Sequence, residues 1–133
     1  MAAPDTRRSP SSTAVADDWH AELSTRLDEL AALPVDWNSY GSDPPNAEAL
    51  ARARIALDVL RDLEMRPTSL VATADGGVAI GFRTATRYAD VEFYNDGEIA
   101  AVTSDRKGDI DAWEVSPEEI AAALRKIRAF VAA

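Results

Sequence analysis

The sequence predicts an α+β domain: two N-terminal helices, an antiparallel meander of four to five strands and one C-terminal helix, with the helices mainly on one face of the sheet. Apolar residues recur at helical spacing before residue 67 and again after residue 116, and they alternate with polar residues in between. Two Asp-Gly pairs lie inside the alternating region, as is typical of β-hairpins. Helices that are segregated from a meander favour this layered arrangement.

The first helix is predicted from Asp17 to a stop at Pro34. Its apolar stripe has steps of four, four, three and three residues and consists of Trp19, Leu23, Leu27, Leu30 and Leu33. His20 lies beside this stripe, and we expect it to be a surface or half-buried structural histidine. Residues 1–15 show no periodicity and are rich in Pro, Ser and Ala, which predicts a disordered tail before a single domain of residues 16–133.

The second helix is predicted to begin after Asn46, an N-cap residue, and to end before Pro67. Its main stripe consists of Leu50, Ala53, Leu57 and Leu60. A wider apolar arc that also includes Ile55, Val59 and Leu63 predicts contact with both the first helix and the sheet.

Two hairpins follow. In the first, an Asp75–Gly76 turn pairs Thr73 with Val78 and Val71 with Ile80. Under this turn or a turn at Gly76–Gly77, one face carries Val71, Val78, Ile80 and Phe82. In the second hairpin, a two-residue Asp96–Gly97 turn pairs Tyr94 with Ile99 on a mixed outer surface that includes Asp90 and Glu92. The same register predicts a core face of Val91, Phe93, Ala100 and Val102.

The chain ends with a short strand and a helix. A fifth strand is predicted over residues 111–115. Ser116, Pro117 and Glu119 have the pattern of a capping box that starts the last helix. The buried stripe of that helix is predicted to be Ile120, Leu124, Ile127 and Val131.

Composition excludes several classes of function. The chain has 133 residues, a net charge of −9, no Cys and a single His. A thiolate metal site, a disulfide framework and a histidine-based centre are therefore not expected, and we predict no cofactor and no metal. Absence of Cys and of any long apolar run predicts a cytoplasmic protein that contacts no membrane. Residues 17–133 carry −10, which disfavours nucleic acid as a partner and favours a basic one.

No motif in the chain specifies a reaction. One His and no G-x-S-x-G elbow leave nucleophilic catalysis without support, so we expect a protein that is not an enzyme. Asp105, Asp109 and Asp111 could supply oxygen ligands for Ca²⁺, but their spacing does not match the EF-hand loop. We therefore expect these aspartates to lie in a solvated loop. The glycines after Asp75 precede a strand, whereas a phosphate-binding loop precedes a helix.

The stretch LPVDWNSYGSDPP, residues 33–45, is unusual for a turn between helices. Trp37 and Tyr40 either form a structural plug that seals the helix pair against the sheet, or an exposed anchor for a partner. Asn38 is a candidate for either role. Gly41, like Gly76 and Gly97 in the hairpins, is predicted to be a structural turn residue.

The segments LPVDWNSYGSDPPNAEALARA, TADGGVAIGF and EFYNDGEIAAV together resemble a widespread family of small bacterial proteins. The family pattern is L-P-x-x-W-[DN]-x-Y-G-A-x-P-P, followed by a D-G-G hairpin and a second hairpin with a D-G turn. The resemblance covers about residues 30–102 and implies a shared architecture and no particular reaction. Ser42 stands where the family has Ala, and Phe82 stands where it has Trp.

These observations lead to a preferred hypothesis and two others. The preferred one is an acidic protein-interaction module, for example an inhibitor or immunity-type factor for a basic partner. Its candidate contact residues are Trp37, Asn38, Tyr40, Asp90, Glu92 and Tyr94. The alternative is a small-molecule or glycan-binding domain, or a weak enzyme, with an aromatic pocket around Trp37, Tyr40 and Trp113. The third is a structural homo-oligomer that assembles through an exposed Tyr94–Ile99 pair and the sheet edges.

Overall fold

The computed structural model describes the backbone of residues 12–133 and the side chains of residues 18–133. Three helices and one five-stranded antiparallel sheet confirm the predicted α+β class. The helices are α1 (Ser12–Ala31), α2 (Ala47–Asp62) and α3 (Ile120–Ala132), and the strands are β1 (Ser69–Thr73), β2 (Gly77–Arg83), β3 (Tyr88–Tyr94), β4 (Ile99–Ser104) and β5 (Ile110–Glu114). The sheet order is β1-β2-β3-β4-β5, a simple meander. Within residues 12–133, no helix has both the length and the apolar character that a membrane crossing needs.

The predicted disordered tail falls mostly on residues 1–11, which lie outside the described residues. Helix α1 begins at Ser12, upstream of the predicted start at Asp17. The N-cap of α2 is confirmed, since the Asn46 side chain accepts a hydrogen bond of 2.9 Å from the Ala49 N–H. The wide apolar arc of α2 is wrong at Ile55, which is exposed.

The capping box before α3 is present. Glu119 Oε1 accepts hydrogen bonds from the Ser116 hydroxyl at 2.8 Å and from the Ser116 N–H at 3.3 Å. A 3-10 turn, Pro117–Glu119, connects this box to α3. These hydrogen bonds lower the pKa of Glu119, because they stabilise its charged form.

A polar contact joins α1 to α2. His20 Nε2 lies 2.8 Å from Asp58 Oδ1, and the imidazole meets the buried Trp19 ring edge-on at a centroid distance of 6.0 Å. Asp28 of α1 also pairs with Arg54 of α2. His20 is half-buried and joins two helices, as expected of a structural histidine.

The first hairpin has a register different from the predicted one. Its loop spans residues 74–76, with Gly76 at φ 88° and its N–H donating to the Thr73 carbonyl. This is the three-residue loop with a bulge, in which the third residue adopts the left-handed conformation that glycine favours. Thr73 therefore pairs with Gly77, and Val71 pairs with Ala79. Leu70 occupies the core beside Ile80, so the prediction that Val71 is a core residue is wrong; Val71 is 44% exposed.

The second hairpin repeats this loop with residues 95–97, where Gly97 has φ 96°. The extra loop residue shifts β4 by one position, so Phe93 pairs with Ile99 and Val91 pairs with Ala101. Ile99 is 1% exposed. The predicted core positions Ala100 and Val102 are therefore wrong, and the hypothesis of an exposed Tyr94–Ile99 pair loses its basis.

Burial alternates along β3 and β4, two of the three inner strands. The buried apolar residues of both strands form one core cluster with apolar residues of β2 and of the three helices. Its largest fully buried members are Phe93, Leu27, Leu57, Leu60, Ile80, Ile99, Leu124, Ile127, Val78 and Val91. Burial of each such side chain contributes about 1.5–3 kcal/mol to stability.

Candidate functional site

The stretch of residues 33–45 forms a loop between α1 and α2 that is organised by two side chains. Asn38 Oδ1 accepts from the N–H groups of Tyr40 at 3.0 Å and Ser42 at 3.4 Å, and Asn38 Nδ2 donates to Ser42 Oγ at 2.9 Å. Asp36 Oδ1 accepts from the Gly41 N–H at 2.6 Å, where Gly41 has φ 85°. Both side chains thus satisfy backbone groups of an irregular loop, and the amide of Asn38 is used within it.

This loop is also joined to both hairpin turns. The buried Ser42 donates from its hydroxyl to the Ala74 carbonyl at 2.8 Å, in the first turn. Asn95, in the second turn, donates from Nδ2 to the Pro44 carbonyl at 3.0 Å. The loop therefore holds one end of the sheet to the start of α2.

Trp37 and Tyr40 have different surroundings, although they lie three residues apart. The Trp37 indole N–H donates to the Asp43 carbonyl at 3.2 Å, and its half-buried ring lines an apolar groove beside β1. Tyr40 is 90% exposed, and its hydroxyl takes part in no hydrogen bond among the described residues. Trp37 thus combines a fixed orientation with an accessible face, whereas Tyr40 contributes little to packing.

A second set of candidates lies on β3, on the sheet face opposite to the core. We call Tyr88, Asp90, Glu92 and Tyr94 the polar stripe; all four are half-buried. The rows on either side are occupied mostly by small residues: Gly77, Ala79 and Gly81 in β2, and Ala100, Val102 and Ser104 in β4. The stripe is thus a row of large polar side chains with mostly small side chains on the strands to either side.

Tyr88 and Asp90, at the N-terminal end of β3, form a tyrosine–carboxylate pair within the polar stripe. The Tyr88 hydroxyl donates to Asp90 Oδ2 at 2.6 Å, while Asp90 Oδ1 is buried and has no hydrogen-bond partner among the residues that the structure describes. Burial raises the pKa of Asp90, and the Tyr88 hydrogen bond opposes that rise. Burial, followed by the Asp90 interaction, raises the pKa of Tyr88 to about 12. Arg83 lies over the Tyr88 ring, 5.4 Å from its centroid.

Glu92 and Tyr94, at the C-terminal end of β3, again combine a carboxylate with a tyrosine. Burial, and then the neighbouring Glu92 carboxylate, raises the pKa of Tyr94. Tyr94 also lines a groove of about 440 Å³ at the turn end of the sheet. The charged residues of this groove are all acidic: Asp43, Asp75, Asp96 and Glu98. Negative charge therefore continues from the stripe to the hairpin turns.

Comparison with protein-family models, curated proteins and solved structures finds no match to this chain. The resemblance of residues 30–102 to a bacterial family stays a prediction.

The structure does not bring Trp37, Tyr40 and Trp113 together. Trp37 lines a groove at β1, whereas Trp113 belongs to β5, the opposite edge of the sheet. The Trp113 ring is covered by Lys126, whose Nζ lies 3.8 Å from the ring centroid and 3.2 Å from Asp111 Oδ2. A single aromatic pocket formed by these three residues is therefore wrong.

Two parts of the site were missed by sequence reasoning. Tyr88 completes the polar stripe, and its two-residue spacing from Asp90 was the available signal. Val71 reaches the outer surface only because of the three-residue hairpin loop. Among residues 18–133, no group of three or more His, Asp or Glu side chains is arranged to hold a metal ion.

Proposed function

We propose that the protein is a small acidic, cytoplasmic protein-interaction module that binds a basic partner protein through the polar stripe. An inhibitor or immunity-type factor for a basic protein is one function of this kind. The observation that carries the proposal is the composition of the stripe, in which two carboxylates and two tyrosines stand between rows of small side chains.

The proposal requires this face to be free of the protein's own helices. Its support is the alternation of burial along β3 and β4. The buried apolar residues of these two strands belong to the core cluster shared with α1, α2 and α3, whereas no residue of the stripe belongs to it. We infer that the helices lie mainly on the core face and leave the polar stripe accessible.

The chemistry of the stripe favours a cationic partner. Tyrosines offer large contact areas with little loss of conformational entropy, and they are enriched at interfaces. Asp90 and Glu92 are already partly desolvated in the free protein, so a partner's Lys or Arg meets carboxylates that have lost part of their hydration. A second copy of this chain is disfavoured because two such stripes would place carboxylates against carboxylates.

Site-specific photo-crosslinking in cells tests the proposal. A crosslinking amino acid replaces Ala112, an exposed residue of β5 that is in register with Val102 and Asp90 across the stripe face. The control position is Ala51, an exposed residue of α2. We expect a basic protein to be crosslinked from Ala112 and not from Ala51, and the crosslink to be lost in Glu92→Lys. Equal crosslinking from both positions, or an acidic product, contradicts the proposal.

A further inference from the structure

The outer edge of β1 has unpaired backbone groups. β1 is an edge strand, and within residues 12–133 it pairs only with β2. The Leu70 carbonyl accepts a long hydrogen bond of 3.4 Å from Arg26 Nε, which places that carbonyl on the side away from β2. Because backbone direction alternates along a strand, the N–H and C=O groups of both Leu70 and Ala72 point outward. Among the described residues, Arg26 is the only hydrogen-bond partner at this edge.

An apolar groove of about 330 Å³ runs beside these groups. It is lined by Leu30, Leu33 and Trp37, by Val71 and Ala72 of β1, and by Arg26 and Glu29 of α1. The Trp37 ring is held by its bond to the Asp43 carbonyl, so its wall of the groove is already formed in the free protein. A free strand edge beside an apolar groove is the arrangement that accepts an extended peptide as an added strand.

We infer that an extended segment of the basic partner, in which apolar residues alternate with Lys or Arg, adds to β1 as a sixth strand. The inference rests on the proposed function and specifies the partner's chemistry. Side chains of an added strand point alternately to the two faces of the sheet. On the core side, apolar ones enter the groove beside Trp37.

Charge complementarity specifies the side chains of the added strand that point to the stripe face of the sheet. Val71, Ala79 and Glu92 lie in one cross-strand row that runs from the edge to the polar stripe. Val71 and Ala79 are small and uncharged, so Lys or Arg side chains of the added strand lie over β1, and the negative charge of Glu92 attracts them from three strands away, roughly 14 Å between backbones. A second copy of this chain does not fit this role, because its own edge strand, SLVAT, has no basic residue.

Binding of a designed peptide tests the inference. The probe is an end-capped peptide of about seven residues in which Lys and Val alternate, and the comparison peptide has the same composition in two blocks. Ala72→Pro removes an outward N–H of β1 without touching its ladder with β2. The matched control is Ala112→Pro, which removes an outward N–H of β5. The Val115 N–H donates to the Ile99 carbonyl, so the backbone groups of every second residue counted from Val115 point toward β4. Ala112 lies between these positions, and its N–H therefore points away from β4.

We expect the alternating peptide to bind the wild type and Ala112→Pro alike, and to bind Ala72→Pro at least about tenfold more weakly. The amides of Leu70 and Ala72 should exchange rapidly in the free protein and become protected in the complex. Should Ala72→Pro fail to fold, a probe with N-methylated valines weakens the same ladder from the peptide side, because it removes the peptide N–H groups that would donate to carbonyls of β1.

Equal binding of the alternating and block peptides, unchanged binding to Ala72→Pro, or no binding at about 1 mM peptide would overturn strand addition. Glu92→Gln separates this failure from that of the proposed function. If both peptides bind equally and Glu92→Gln weakens both, the acidic stripe recognises cations and only the sixth strand is wrong. If Leu70 and Ala72 become protected and Glu92→Gln has no effect, the inferred basic segment is wrong together with the proposed role of the stripe.

Discussion

Asn46 and Asn95 are joined by two hydrogen bonds, which fix the start of α2 to the turn between β3 and β4. The Asn46 N–H donates to Asn95 Oδ1, and Asn46 Nδ2 donates to the Asn95 carbonyl, both at 2.8 Å. Asn46 Oδ1 at the same time accepts from the Ala49 N–H as the N-cap of α2. One residue thus caps a helix and fixes the helix position relative to the sheet.

The first prediction concerns this junction. Asn95→Ala removes the acceptor for Asn46 and the donor to Pro44, so we expect a loss of about 1–3 kcal/mol in the free energy of unfolding by urea. The control is Asp96→Ala in the same turn, because the Asp96 side chain accepts a local hydrogen bond from the Glu98 N–H and contacts no helix N–H among the described hydrogen bonds. If both variants lose the same stability, the junction does not hold the helix to the sheet.

The second prediction concerns the two aromatics of the loop. Trp37→Ala removes a half-buried ring and its hydrogen bond, and should cost about 1–3 kcal/mol. Tyr40→Ala removes an exposed side chain and should change stability by less than about 0.5 kcal/mol. Urea unfolding of both variants measures the difference. A large loss in Tyr40→Ala would mean that this tyrosine packs against the fold.

The third prediction tests the register of β4. Ile99→Ala removes a fully buried side chain and should cost about 2–5 kcal/mol. Val102→Ala acts on the other face, where the side chain is half-buried, and should cost less than about 1.5 kcal/mol. The register with a two-residue turn predicts the reverse order, so this pair of urea midpoints distinguishes the two registers.

The sequence predicted local structure better than register. Helix caps at Asn46 and at Ser116–Glu119 were readable because each depends on residues three or four apart. The hairpins were displaced by one residue because Asp-Gly fits both a two-residue turn and the end of a three-residue loop. That choice exchanged the faces of Val71 and Val102.

The candidate site was only partly predictable, for a related reason. Asp90, Glu92 and Tyr94 were named because alternation places them on one face. The bonds that organise the loop join distant residues, such as Ser42 with Ala74 and Asn95 with Pro44, and no local pattern encodes them. The separation of Trp37 from Trp113 required the strand order of the whole sheet.

The fourth prediction concerns pH. Burial raises the pKa of Asp90 above its ordinary value of 3.8, so the folded state binds its proton more tightly than the unfolded state does. Asp90 therefore lowers stability as pH rises from about 3.8 through the raised pKa. Asp90→Asn should be more stable than the wild type at neutral pH, and this gain should disappear at acidic pH. Unfolding free energies measured across this range test the sign.

Glu119 should change stability with pH in the direction opposite to Asp90. The Ser116 hydrogen bonds lower its pKa below 4.5, so its contribution to stability is present above that pH and is lost as pH falls through the lowered value. Glu119→Gln should therefore be less stable than the wild type at neutral pH. The same sign of change in Asp90→Asn and Glu119→Gln would contradict the assigned environments.

The most direct test of the central claim is the affinity for the protein crosslinked at Ala112, measured by calorimetry with the wild type, Glu92→Gln and Glu22→Gln. Both substitutions remove one negative charge, but Glu92 lies in the polar stripe and Glu22 lies on α1 in an exposed pair with Arg66. We predict that Glu92→Gln binds about three- to tenfold more weakly and with a smaller salt dependence, because a close charge pair is lost. Glu22→Gln should bind like the wild type. Equal affinities of all three proteins, or equal losses in both variants, would contradict recognition of a basic partner by the stripe.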